Sequence, residues 1–68
     1  MEIFAERLKE LRIKNILTQV QLAEYISVSQ SAIKHWENNQ RVPNAEAVVT
    51  LAEFFRVSTD YLLGVSDD

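Results

Sequence analysis

Apolar side chains recur along this chain with the three-to-four-residue period of helices, in blocks separated by short polar breaks. Phe4, Leu8 and Leu11, with Ile3 widening the stripe, predict a first helix over residues 2–15. Glu2 and Glu6 stand early in it, where the helix dipole favours anions. Thr18 is a good N-cap, and Gln21 three residues on completes a capping box for a second helix. Its buried edge is Leu22, Ala23 and Ile26. Ser29 caps a third helix running to about Asn38, with Asn39 as its left-handed terminator. After Pro43, Asn44 opens a fourth helix whose stripe is Val48, Leu51, Ala52 and Phe55. Ser58 caps a last short helix, Thr59 to Leu63, which Gly64 stops. The pattern predicts an all-α bundle of five helices over residues 1–64, with residues 65–68 frayed.

Composition narrows the class. A chain of 68 residues is enough for one small domain with a single core. It has no cysteine, hence no disulfide framework and no thiolate metal site, which fits a reducing cytoplasm. No uninterrupted apolar run approaches the roughly 20 residues that a membrane helix needs. The net charge of −3 argues against a nucleic-acid partner until its distribution is considered. Between Leu11 and Pro43 stand four cations (Arg12, Lys14, Lys34 and Arg41) and two acids (Glu24 and Glu37). The remainder holds three cations and eight acids. The positive part of the chain coincides with its second and third helices.

On a helical wheel the third helix divides cleanly. With Gln30 at zero, Lys34, Asn38, Ser31 and His35 occupy the arc from about 0° to 140°, and Ala32, Trp36, Ser29, Ile33 and Glu37 the arc from about 200° to 340°. The first face carries amides, an ammonium, a hydroxyl and an imidazole, and no acid. Such groups suit the major groove, where Gln pairs with adenine, Lys donates to guanine and Ser acts either way. His35 can donate to guanine N7 or to a phosphate. Gln19, with Thr18 at the same helix start, is a candidate phosphate contact, because backbone N–H groups there attract anions. Asn38 and Arg41, at the exit of the third helix, are candidates for a second phosphate clamp. For Gln19 and Arg41 the alternative is an ordinary solvated side chain.

Glu37 falls on the inner arc, and a carboxylate facing a core needs a partner. Arg12 borders the apolar stripe of the first helix and is the expected ion-pair partner. No nucleophile or metal-ligand cluster accompanies Glu37, so a catalytic role has no support. Trp36 is expected in the core, and His35, the only histidine, lacks the companions a metal site requires. No cofactor is implied.

The strings ERLKELR, LTQVQLAEYISVSQSAIKHWEN, Pro43 and VSTDYLLG resemble the Cro/C1-type (XRE family) helix-turn-helix transcriptional regulators. The similarity covers residues 4–64. It implies a five-helix, lambda-repressor-like DNA-binding domain whose third helix enters the major groove, usually as a dimer on a two-fold operator. By motif position, Gln30, Ser31 and His35, with Lys34 beside them, match the family's base-reading places. Gln19 and Asn38 match its phosphate contacts, and Arg12 and Glu37 its buried ion pair. Ser27, Ile16 and Asn39 stand where the family often has glycine. Asn39 adopts the left-handed conformation readily, whereas a β-branched residue tolerates it badly, so Asn15 is expected to end the first helix in place of Ile16.

These readings predict a cytoplasmic, sequence-specific binder of double-stranded DNA that regulates transcription as a repressor. Tyr61, Leu62, Leu63 and Val65 are its dimer candidates, with simple core packing as the alternative, above all for Tyr61 and Leu62. The alternative is an antitoxin-like or anti-repressor protein-interaction module on the same fold, favoured by the acidic balance and by Val20. Nothing in the chain suggests an enzyme, and no small-molecule ligand is evident.

Overall fold

A computed structural model describes all 68 residues as five helices and no strand: α1 (Glu2–Lys14), α2 (Gln19–Ile26), α3 (Gln30–Glu37), α4 (Ala45–Phe55) and α5 (Thr59–Leu63). The starts of α2 to α5 are fixed by local capping chemistry, whereas α1 begins at Met1 without a side-chain cap. Thr18 Oγ1 accepts from the Gln21 amide at 3.0 Å while Gln21 Oε1 accepts from the Thr18 amide at 2.9 Å, closing the capping box. Ser29, Asn44 and Ser58 cap α3, α4 and α5 through their side-chain oxygens.

The five ends share one geometry. A residue with positive φ follows each helix, and the next amide reaches back five residues to a carbonyl. The positive-φ residues are Ile16 (57°), Ser27 (59°), Asn39 (57°), Arg56 (58°) and Gly64 (81°). The closing bonds are Leu17 N–H to Arg12 O (3.1 Å), Val28 to Ala23 (3.0 Å), Gln40 to His35 (2.8 Å), Val57 to Ala52 (3.0 Å) and Val65 to Asp60 (2.9 Å). Glycine occupies the strained position once. The reason is on the far side of the turn, where Leu17, Val28 and Val57 swing inward and pack on the core. That gain makes the left-handed residue tolerable. The expectation for α1 is therefore corrected: Asn15 is the C-cap at φ −90°, but Ile16 takes the left-handed turn with its side chain 89% exposed.

One core joins all five elements. Phe4 and Leu8 of α1 meet Leu22, Ala23 and Ile26 of α2, Ile33 and Trp36 of α3, Val48, Leu51 and Ala52 of α4, and Leu62 of α5. The polar ends of α1 and α3 are joined by Arg12 and Glu37, and no helix is long and apolar enough to cross a membrane. Beyond Gly64, residues 65–68 bond back to the domain through Val65 and Ser66 N–H to Asp60 O and through Ser58 Oγ to Asp68 O.

Candidate nucleic-acid interface

Helix α3 presents the divided surface that its wheel predicts. Ile33 and Trp36 are buried, while Gln30, Ser31, Lys34 and Asn38 are exposed on the opposite side. His35 is half-buried, and its Nδ1 is enclosed without a hydrogen-bond partner. The remaining ring nitrogen is thus the one available for an outside acceptor or donor. The turn before α3 rests on Ser27 in the left-handed conformation, which sets the angle between the two helices of the motif.

Beneath this face runs a chain of side-chain bonds. The Arg12 guanidinium donates from Nε to Glu37 Oε2 (2.6 Å) and from Nη2 to Glu37 Oε1 (2.9 Å), a two-pronged pair whose side chains are 13% and 2% exposed. Its Nη1 donates to Leu17 O (2.8 Å), holding the α1–α2 turn in the same grip. Hydrogen bonding to Glu37 holds the Arg12 guanidinium above its ordinary pKa, against the opposite pull of burial. Glu37 Oε1 also accepts from Gln19 Nε2 (3.3 Å), and Gln19 Oε1 accepts from Gln30 Nε2 (2.9 Å). The first residue of α3 is therefore oriented by a relay that begins on α1.

The expected ion pair is present, and the phosphate candidates divide. The Thr18 hydroxyl is engaged in its cap, and the Gln19 amide is turned toward Glu37 and Gln30. What α2 leaves unbonded for an anion is the backbone N–H groups of Gln19 and Val20, the Gln21 amide being held by Thr18. Asn38 closes α3 as an exposed C-cap, and Arg41 is exposed beyond it. The Gln19–Gln30 bond has no sequence signal, since each residue merely begins its helix and no periodicity links positions 11 apart. No three histidine, cysteine, aspartate or glutamate side chains gather as a metal site.

The dimer candidates are not equivalent. Leu62 is fully buried in the core and unavailable to a partner, which corrects its assignment; it faces inward because α5 needs one anchor into the bundle. Tyr61 is half-buried. Leu63 and Val65 are exposed, at 40% and 74%, and Leu63 rims a groove of about 330 Å³ with Met1, Pro43, Ala45, Val48 and Val49.

The chain belongs to the helix-turn-helix family, which matches residues 8–62. The relatives it matches are named as transcriptional regulators or as a repressor. Among curated relatives it is 45% identical over 60 residues to the HTH-type transcriptional activator BcrR of Enterococcus faecalis, covering 88% of this chain and 29% of that one. It is 38% identical over 66 residues to the HTH-type transcriptional regulator YobD of Bacillus subtilis (strain 168), covering 97% and 59%. It is 34% identical over 62 residues to Repressor protein C2 of Salmonella phage P22, covering 91% and 29%. The chain thus spans about a third to three-fifths of the length of these relatives, and their names include both an activator and a repressor.

Proposed function

We propose that this domain binds a double-stranded operator in sequence-specific fashion, inserting α3 in the major groove as one half of a two-fold dimer, and that it represses transcription in the cytoplasm. The observation that carries the reading is the exposed face of α3, which has no acid and whose leading residue, Gln30, is held in place by Gln19 and Glu37. A preorganised amide loses little rotamer freedom on meeting a base edge, so more of each hydrogen bond appears as affinity. Gln30, Ser31, Lys34 and His35 are the base-reading set. The start of α2 at Thr18 and Gln19, with Asn38 and Arg41, forms the phosphate set, and Leu63 and Val65 belong to the dimer surface.

In-vitro selection of bound duplexes from a random pool tests this directly. The expected result is a short two-fold motif, lost when Gln30 and Ser31 are both changed to alanine. Recovery of no preferred sequence at low salt refutes it. A second reading, a protein-interaction module, draws on Val20 and Tyr25, both exposed on α2. A stable protein partner together with absent DNA selection supports that alternative.

A further inference from the structure

The end of α5 is gripped by the first two turns of α1. Arg7 donates from Nη1 to the Tyr61 carbonyl and, at 2.8 Å, to the Ser66 carbonyl. Its guanidinium lies over the Tyr61 ring, 4.2 Å from the centroid, and its Nη2 approaches Asp67 Oδ1 at 3.4 Å. One turn earlier on α1, Ile3 packs so closely on Gly64 that a Cβ added there would lie 3.0 Å from Ile3 Cγ2. Ile3 and Arg7, on one face of α1, therefore hold the same short segment, residues 61–67, at Gly64 and at Tyr61, Ser66 and Asp67. A five-residue helix has too few internal bonds to fix its own direction, so the grip decides where its last residues point.

The large apolar side chains this segment points outward are Leu63 and Val65, with the exposed Asp67 beyond them. Leu63 is exposed on the groove that Met1, Pro43 and Val49 line, and Val65 is exposed two residues on; none of these carries a charged side chain, their one charge being the α-ammonium of Met1. A two-fold interface sets each patch against its own copy, and a charge near the axis would meet its like. Leu63 and Val65 bring no charge to such an axis, which suits self-pairing.

We infer that Arg7 is the positioning residue of the dimer surface, clamping residues 61–67 so that Leu63 and Val65 face a second copy of this chain. This rests on the dimeric reading given above. Arg7 touches neither the partner nor DNA; it acts by ordering the segment that does. Loss of the clamp leaves α3 and its relay in place and frees the rim of the groove.

The test compares wild type with Arg7→Gln and Arg7→Lys on two duplexes, a full two-fold site recovered by selection and a single half-site. Sedimentation follows self-association of the same proteins. Arg7→Gln is expected to bind the half-site as wild type does, yet to lose about tenfold on the full site, the scale on which one ordered segment affects an association. Arg7→Lys, which keeps the cation over Tyr61, recovers part of the loss. Equal full-site binding by Arg7→Gln and wild type overturns the inference. So does parallel loss on both duplexes, which marks a purely structural role. If wild type itself binds full and half-sites without cooperativity and sediments as a monomer, the dimeric reading fails, and the inference with it.

Discussion

Replacing Ile16 by glycine should stabilise this domain. Ile16 holds φ at 57°, where an L-residue carries a cost of about 1–2 kcal/mol and a β-branched one sits at the upper end. Its side chain is 89% exposed, so removing it forfeits almost no burial. Against this, glycine adds about 0.5–1 kcal/mol of conformational freedom to the unfolded chain. The balance favours Ile16→Gly by about 1 kcal/mol, equivalent to about 4–8 °C in Tm for a domain of this size. Ile16→Ala keeps a Cβ and so keeps most of the strain. Thermal and urea unfolding followed by far-ultraviolet circular dichroism separate the three proteins. The reasoning is refuted if Ile16→Gly melts at or below wild type, or if Ile16→Ala gains as much. Gly64→Ala provides the reverse case, because there the added Cβ meets both a φ of 81° and Ile3, and Tm should fall.

Three further outcomes follow from the packing and the relay. Glu37→Ala leaves Arg12 unpaired at a buried site and should cost about 3–5 kcal/mol in urea unfolding, with the double change Arg12→Met, Glu37→Met recovering much of it. Leu62→Ala should cost about 2–5 kcal/mol of stability as a cavity, whereas Leu63→Glu should leave Tm nearly unchanged and reduce self-association measured by sedimentation. Gln30→Ala should lose about 1–3 kcal/mol of discrimination at its base pair, and Gln19→Ala a part of the same energy. The double variant should fall short of their sum, because one residue acts through the other.

The bundle was legible in the sequence because its instructions are local. Thr18 with Gln21, Ser29, Asn44, Ser58 and Gly64 each act within a few residues, and each sits where the caps and the stop were expected. The Arg12–Glu37 pair was legible because a lone carboxylate on an apolar arc demands a cation, and one bordered the stripe of the facing helix. What escaped was of two kinds. Ile16 and Arg56 obey no residue preference; they are placed by the inward pull of Leu17 and Val57, a tertiary cause invisible in a local window. The Arg7 clamp and the Gln19–Gln30 bond join groups whose spacing carries no period, 54 and 11 residues apart. Leu62 and Leu63, adjacent and chemically alike, take opposite environments, buried and exposed, because one residue step of a helix rotates them about 100° apart.

Met1 lines the groove beside Leu63, while Asp68 is tied to Ser58 at the start of the same short helix. Both ends of the chain therefore emerge on the α5 side of the molecule. A tag, a fluorescent protein or an effector domain fused at either end is expected to crowd the Leu63 groove before it approaches the polar face of α3. Fusions of this domain are thus expected to disturb pairing first and recognition second. On the dimeric reading proposed above, bulk attached to a terminus would yield a monomeric reading head with no change to any residue of α2 or α3.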